Sequence, residues 1–524
     1  MKNTPAVLSF LFALIVLPNL FSLGTNHYDE AFYVNAIDQM FETGDWLIPK
    51  YHDGSLRVNK PILSYWIFGL GKFLFGNWLY GLRLMSLFAA VSLVFLIASF
   101  EKTIDSSVTF YLSPVILIST KIFVDLAIFA IPEMLFVVFI VWAHLEYYQL
   151  LNRKGNLTKL YILLALGFLI KGPWIAAYPF LTALGMSILD RSVRPLTILL
   201  NIKGIIIFLL LVLPWFLYIT HQLGWQWLVT LFENEIIARS VESSGTWLRR
   251  LQILWELSPW VILIIPAIFA KKKDYQSKFL LVWFFGSLIF LLVIISTFHI
   301  HYTLVFTAPL ALLVSKQLKS KPEISVWLMV PIIFWFIKST LQNFIFDDFN
   351  LNVNYHYWLW MSTIPILAII WVLLKRQKFN SVGLIILIFM WTAGNLMPRY
   401  NENPEVVVKR ILENSLEGTV IASKDYNMYA RSLLVKPTFK TDQNVVVTDD
   451  LQTTVPLNQI YIVEKGEFIG SELQETSIVL DSVLHYTGRN PEIKQRPVKG
   501  LYGIITGREN WYTYYFIQAK TVGS

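Results

Sequence analysis

The sequence predicts a mainly α, polytopic membrane protein carrying a small C-terminal extracytoplasmic α/β domain, and three observations lead there. Of 524 residues, 55% are apolar and only 15% charged, and the mean hydropathy is +0.55, too apolar for a soluble globular chain. Apolar runs of bilayer-crossing length recur through the first 400 residues. From about Asn401 they stop, charge rises, and short β-rich runs take over. The division is therefore 1–400, membrane-embedded, and 401–524, extracytoplasmic.

The first apolar run, about Ala6 to Leu23, follows a single lysine and has no small-x-small cleavage site before Asn26-His27-Tyr28, so it reads as a retained helix. A hydrocarbon core of about 30 Å takes roughly 20 apolar residues per helix, fewer where neighbours shield the helix. Qualifying runs start near residues 6, 80, 107, 132, 158, 174, 199, 251, 279, 301, 324, 356 and 380, about 13 transmembrane helices. With the N-terminus cytoplasmic, alternation puts Arg153-Lys154 with Lys159, Arg191 with Arg194, Lys271-Lys272-Lys273, Lys316 with Lys319 and Lys321, and Lys375-Arg376 with Lys378 on one side. That is the charge asymmetry by which membrane proteins set orientation. Asp29, Lys60, Glu133, Lys171 and Arg239 fall on the other side, and thirteen crossings put everything after Arg399 there too. The short runs near 107 and 158 decide that parity.

Two outer loops are long. Residues 25–79 include Pro61 to Phe75, where Tyr65, Trp66, Phe68, Phe73 and Phe75 surround Gly69 and Gly71; this reads as one or two interfacial helices capping a cavity. Residues 221–250 alternate aromatic and polar positions (Trp225, Trp227, Phe232, Trp247) and read as a second interfacial segment or lid. In the last region, strands are expected at Gly418–Ser423, Asn444–Thr448, Gln459–Val463, Gly503–Thr506 and Trp511–Gln518, with helices at Pro404–Asn414 and Tyr426–Leu434. About 120 residues suffice to bury a separate core.

Composition also excludes functions. The formal net charge is +8, but the cations sit in short loops between apolar runs, so nucleic acid is not a partner and membrane lipids are. There is no cysteine, which removes disulfides, thiolate catalysis and cysteine-ligated metals.

Ionisable groups near membrane depth cost several kcal/mol unless they pair or face water, so Asp29-Glu30, Lys60, Glu133 and Lys171 together favour a polar cavity. Each also has a plainer reading. Lys171, before Gly172-Pro173, can snorkel to the headgroups. Glu133, after Pro132, suits a helix N-terminus. Asp29 can cap the following helix, and Lys60 can pair with a lipid phosphate.

In order, Asp29-Glu30-Ala31-x-Tyr33, Met40-x-x-x-Gly44-Asp45-Trp46-x-x-Pro49, Lys60-Pro61-x-Leu63-x-Tyr65-Trp66, Pro132-Glu133, Lys171-Gly172-Pro173, Pro214-Trp215 and Pro259-Trp260 resemble the polyprenyl-phosphate-sugar-dependent glycosyltransferases of the GT-C class. Within it, the chain is similar to the branch of the lipid A aminoarabinose transferase and the protein O-mannosyltransferases, over the region to about residue 310. The resemblance implies a GT-C-like fold in the bacterial cytoplasmic (inner) membrane with a periplasmic C-terminal domain. It also implies a polyprenyl-phosphate-linked sugar donor and an acceptor hydroxyl on lipid, glycan or protein.

By the same resemblance Asp29 is the general base, a role that contributes about 10²- to 10⁴-fold, and Glu133 is the second catalytic acidic position. Cations near the leaving lipid phosphate stabilise the transition state; Lys60 comes first for that role and Arg239 second, the latter with a salt bridge to Glu235 as its plainer reading. Glu30, Tyr33, Tyr65, Lys171, His301 and Tyr302 complete the substrate-binding candidates. Aromatics between Trp225 and Trp247 suit sugar stacking and interfacial anchoring equally.

The aminoarabinose branch has arginine where this chain has Phe32, and Glu-Lys-Pro where it has Asn59-Lys60-Pro61. Neither that phosphate contact nor a metal ligand at residue 59 carries over; a divalent metal ion stays open as a cofactor, although no dense ligand cluster marks a site for it. The family's late Ser…Lys…Tyr stretch appears as Ser296-Thr297-Phe298-His299-Ile300-His301-Tyr302. Two histidines at i, i+2 diverge on a helix and converge only through an extended turn; buried hydrogen-bonding histidine is the favoured reading. A flippase or transporter for a lipid-linked saccharide would place such charges near the midplane between related halves, and no internal repeat is present. A non-enzymatic envelope assembly protein leaves Asp29, Lys60 and Glu133 without a purpose.

Overall fold

A computed structural model describes residues 4–22, 28–51, 54–58, 60–76, 78–108, 111–233, 250–258, 260–270, 273–294 and 299–320, together with five strands between 419 and 519. The helices in chain order are α1 (Thr4–Ser22), α2 (Tyr28–Thr43), α3 (Leu63–Phe75), α4 (Trp78–Ile104), α5 (Leu112–Ile118), α6 (Lys121–Leu126), α7 (Pro132–Leu151), α8 (Leu157–Lys171), α9 (Trp174–Asp190), α10 (Arg194–Leu199), α11 (Ile202–Leu223) and α12 (Trp225–Phe232). There follow α13 (Gln252–Glu256), a 3-10 turn (Trp260–Leu263), α14 (Ile264–Ile268), α15 (Tyr275–Ile289) running into a π turn (Phe290–Ile294), a 3-10 segment (Ile300–Phe306) and α16 (Thr307–Ser320). Four stretches, Tyr80–Ile104, Pro132–Leu151, Arg194–Leu223 and Tyr275–Leu292, are long and apolar enough to cross a membrane.

The helices share two ends, and polar contacts identify each. At one end, Glu101 of α4 accepts from the Ser113 backbone N–H at 3.1 Å, from the Ser113 and Ser315 hydroxyls, and from Lys319 Nζ at 2.6 Å. Lys316 pairs with Asp274, Lys159 with Glu146 at 2.7 Å, and Tyr147 donates to Pro195 O. Asn156, Asn201 and Asp274 cap α8, α11 and α15 at this end, each side chain accepting a backbone N–H two or three residues into its helix. The expected loop cations Lys159, Arg194, Lys316 and Lys319 therefore share one end of the bundle.

The opposite end gathers Glu30, Arg83, Glu133, Lys171 and His301. Helices or helical turns occupy the expected runs from residue 6 to residue 301; those expected near 324, 356 and 380 lie outside the described residues.

Three crossings are not single helices. Residues 112–126, expected as one span, break at Ser119-Thr120, and the freed carbonyls are taken up locally: the Ser119 hydroxyl donates to Val115 O at 2.7 Å and that of Thr120 to Ile116 O at 2.8 Å. The 252–268 crossing is likewise α13, a 3-10 turn and α14, and the last described crossing begins as 3-10 before α16. Irregular backbone of this kind persists at membrane depth only where protein or water shields it.

The Pro61–Phe75 stretch forms one helix, α3, and α2 precedes it. Tyr65 and Phe68 turn inward while Trp66, Leu70, Phe73, Leu74 and Phe75 stay exposed, the pattern of an interfacial helix. Gly71 and Gly81 let α3 and α4 touch backbone to backbone: a Cβ on Gly71 would lie 2.3 Å from Gly81 O.

In the C-terminal region the sheet order is β2-β1-β3-β5-β4, with β1 (Thr419–Ala422), β2 (Val446–Val447), β3 (Gln459–Glu464), β4 (Ser477–Tyr486) and β5 (Trp511–Ala519). β1 pairs in parallel with β2 and β3, and β5 lies antiparallel between β3 and β4. Four expected strands match. The Ser477–Tyr486 strand was not anticipated, because its polar Asp481-Ser482 step, beside a register shift at Val479/Asp481, interrupts the alternation. The strand expected at 503–506 and the helices at 404–414 and 426–434 lie outside the described residues.

Candidate functional site

The site end is organised around two ion pairs. In the first, Arg83 of α4 grips Glu30 of α2 with both arms: Nε donates to Oε1 and Nη2 to Oε2, each at 2.8 Å, and both side chains have 0% exposure. Arg83 Nη1 also donates to Leu20 O at the end of α1, and Glu30 Oε1 accepts the Ala130 N–H just before α7. One carboxylate thus ties together α1, α2, α4 and the entry to α7. Both oxygens of Glu30, for which substrate contact was expected, are bonded to the scaffold, and its side chain is sealed from solvent.

In the second, Lys171 Nζ donates to Glu133 Oε1 at 2.5 Å, and His301 Nε2 lies 3.1 Å from the same oxygen. Pro132 starts α7, so Glu133 occupies its first turn, whereas Lys171 closes α8. An acid at a helix N-terminus and a base at a C-terminus are each favoured by the macrodipole. Gly172 takes φ +85°, ending α8 directly after the lysine. Lys171 does not snorkel: its ammonium lies 4.6 Å from the Tyr302 ring centroid and 5.6 Å from that of Phe136. His299 is extended (φ −114°, ψ 136°), and that turn lets His299 and His301 stack at 5.2 Å despite their i, i+2 spacing. Tyr302 packs edge-on against both. Both histidines are partly buried, and His301, its side chain 12% exposed, is paired with Glu133, close to the buried hydrogen-bonding histidine expected.

Tyr33 and Tyr65 are buried, their rings 4.9 Å apart with Phe68 beside them. They pack α2 on α3. Tyr65 Oη donates to Arg57 O, fixing the loop before Lys60. That loop is built from the Gly44-Asp45-Trp46-x-x-Pro49 motif. Asp45 accepts from the N–H groups of Leu47 and Ile48 and from Lys50 Nζ at 3.1 Å, while the indoles of Trp66 and Trp215 donate to Trp46 O and Leu47 O. Burial alone would raise the Asp45 carboxyl, but the Lys50 and backbone hydrogen bonds outweigh it and hold the group below its ordinary value. Lys60 follows, half-buried.

Asp29 stands in the first turn of α2, inside the helix and not at its cap; its side chain, all of Arg239, Trp247 and Asn59 lie outside the described residues. Trp225 is exposed on α12, as interfacial anchoring expects.

Sequence reading missed a third charged cluster. Lys121 of α6 donates to Asp125 Oδ2 at 2.7 Å and to both oxygens of Glu256 on α13, at 3.0 and 2.8 Å. The 3-10 segment carrying His301 packs against both α6 and α13. The signal was present: Lys121 and Asp125 interrupt an apolar run at i, i+4. Among the described residues no three histidine, aspartate or glutamate side chains converge as metal ligands.

Residues 4–228 match the family model described as dolichyl-phosphate-mannose-protein mannosyltransferase. The chain is 27% identical over 469 residues to an uncharacterized protein of Aquifex aeolicus, covering 83% of this chain and 90% of that one. To the undecaprenyl phosphate-alpha-4-amino-4-deoxy-L-arabinose arabinosyl transferase 1 of Pseudomonas fluorescens it is 27% identical over 301 residues, 53% of each chain. To the corresponding Yersinia pestis transferase it is 26% identical over 330 residues, 59% of this chain and 58% of that one. The chain thus spans little more than half the length of these curated transferases. The crystal structure of ArnT from Cupriavidus metallidurans bound to undecaprenyl phosphate superposes with a TM-score of 0.67 at 14% identity, covering 97% of both chains. This chain shares that fold, and it resembles the GT-C glycosyltransferases of the aminoarabinose transferase and protein O-mannosyltransferase branch.

Proposed function

We propose that this protein transfers a sugar from a polyprenyl-phosphate-linked donor to an acceptor hydroxyl at the outer face of the cytoplasmic membrane. The observation that carries this is the convergence of Glu133, Lys171, His301 and Tyr302, from three separate crossings, at the bundle end opposite the loop cations. The acceptor oxygen forms the new bond to the anomeric carbon as the carbon–oxygen bond to phosphate breaks, its electron pair leaving on the lipid phosphate. The acceptor proton passes to Asp29. Lys60 and Arg239 stabilise the growing phosphate charge. Glu133, with one oxygen shared between Lys171 and His301, orients the site and leaves the base role to Asp29. Loop-charge asymmetry supports the outer location, and thirteen-span parity assigns residues 401–524 to the same side as a separate domain.

The test is incubation of the purified protein with a panel of polyprenyl-phosphate sugars and membrane extract, followed by mass spectrometry of the modified product. Asp29→Asn should abolish transfer while the protein stays folded and inserted. Normal turnover in that variant would remove the base assignment, and no product with any donor would remove the transferase reading.

A further inference from the structure

The bundle end away from the candidate site carries a basic patch that the transferase reading leaves unused. It is built from the α7–α8 turn and from α10 with its flanking residues. Residues 150–160 and 188–204 hold six cations, Arg153, Lys154, Lys159, Arg191, Arg194 and Lys203, against one carboxylate, Asp190. Lys159 is taken by Glu146. The other five are exposed, and among the described residues none of them forms an ion pair.

Tertiary bonds hold the patch together. Arg194 Nη2 donates to Leu150 O at 3.3 Å, and the same carbonyl accepts the Arg153 N–H at 3.0 Å, so the guanidinium of α10 lies on the turn that carries Arg153 and Lys154. α10 is itself pinned from beneath: Tyr147 Oη donates to Pro195 O at 3.0 Å and Tyr161 Oη to Ile198 O at 3.2 Å. A patch on a fixed base loses little freedom when a ligand arrives.

The backbone points to a use for these side chains. Among the described residues the non-glycine positions with positive φ are Arg153 (61°) and Arg191 (48°), both in this patch. Arg191 closes α9 in the left-handed conformation that ordinarily selects glycine or asparagine. The macrodipole favours a cation in the last turn of a helix, but does not ask for it at the left-handed position. Neither arginine side chain makes a hydrogen bond or ion pair among the described residues, so no contact there offsets the strain.

What surrounds the cations indicates the occupant. Val193, Leu200 and Ile202 are 74%, 62% and 67% exposed beside them. Arg194–Leu223 is long and apolar enough to cross a membrane, and Ile206, Leu210 and Leu217 are exposed along it. The patch therefore lies at the rim where a lipid-facing helix enters the bilayer. A soluble anion has no use for the apolar side chains, whereas a phospholipid brings phosphate to the cations and acyl chains to the apolar face.

We propose that Arg153, Lys154, Arg191, Arg194 and Lys203 form a binding site for an anionic phospholipid of the bilayer, in the leaflet at the end opposite Glu133 and Lys171. A guanidinium fork matches two phosphate oxygens. Loop charge sets orientation by number alone; a headgroup site depends on which cations are present. This inference does not rest on the transferase reading.

The experiment is native mass spectrometry of the full chain, titrated with phosphatidylglycerol and separately with phosphatidylcholine of the same acyl chains, reading the Kd of bound lipid. Each cation at an anionic headgroup contributes about fivefold, so three give wild type a preference for phosphatidylglycerol of about a hundredfold. Arg153→Gln/Lys154→Gln should lose about tenfold or more of that affinity, keep the wild-type unfolding temperature in neutral micelles and bind phosphatidylcholine as before. Adding Arg194→Gln should remove the preference. Lys102→Gln/Lys278→Gln, which takes two exposed cations from α4 and α15 at the same end, should leave it in place. An equal loss in that control overturns the inference, because the preference then follows net charge and not the patch. So does an unchanged Kd in Arg153→Gln/Lys154→Gln, or a wild type that binds both lipids alike. Millimolar inorganic phosphate that displaces phosphatidylglycerol from wild type also overturns it, since the occupant is then a soluble anion. Each of these results leaves the transferase reading standing, and a failure of sugar transfer leaves this inference standing.

Discussion

Removing one member of the Glu30–Arg83 pair should destabilise the protein far more than removing both. Each side chain is sealed from solvent, and Glu30 accepts three hydrogen bonds at 2.8 Å, two from Arg83 and one from the Ala130 N–H. Glu30→Met strands the guanidinium, and Arg83→Met strands the carboxylate; either should cost about 3–5 kcal/mol. Native stabilities are only about 5–15 kcal/mol, so each single variant forfeits about a fifth or more of a typical reserve. The double variant leaves no buried charge, only the Ala130 N–H without its acceptor and Leu20 O without the Arg83 donor, a penalty of about 1–3 kcal/mol for each. The coupling across the cycle should therefore be several kcal/mol. Reversible unfolding in mixed micelles, followed by tryptophan fluorescence, measures all four proteins. Additivity within about 0.5 kcal/mol would refute the reasoning, since it would mean the two groups act independently. A second readout separates scaffold from substrate contact: Glu30→Gln should lower stability and leave KM unchanged at a permissive temperature.

Three further expectations concern other parts of the bundle. Lys121→Met leaves Asp125 and Glu256 facing each other without their shared cation and should cost about 3–5 kcal/mol in the same unfolding assay, with Lys121→Met/Glu256→Gln recovering part of it. Gly71→Ala puts a methyl 2.3 Å from Gly81 O, where backbone cannot give way; about 1–3 kcal/mol is expected, seen also as faster proteolysis before α3. Asp45 has a folded-state pKa below its ordinary value, so its contribution is complete above about pH 4 and fades as pH falls through the folded value. Asp45→Asn should flatten the acid limb of the stability–pH curve by about 1 kcal/mol or less, and an unchanged limb would remove Asp45 from that linkage.

Hydropathy alone determined the mainly helical, membrane-embedded architecture, because burying an unpaired backbone in lipid allows few alternatives to helices. It also placed Glu133 and Lys171 at the same end, since helix ends and charge are local properties. Which charges meet was decided only by tertiary packing. Glu30 sits next to Asp29 in sequence, yet it is claimed by Arg83, 53 positions away. Tyr33 and Tyr65, 32 positions apart, meet in the packing between α2 and α3. Lys121, Asp125 and Glu256 form a cluster that no spacing rule brings together, because α6 and α13 lie 135 positions apart at that contact. A lone charge in an apolar run says only that desolvation must be compensated. The partner that compensates it is supplied by whichever helix the fold lays alongside.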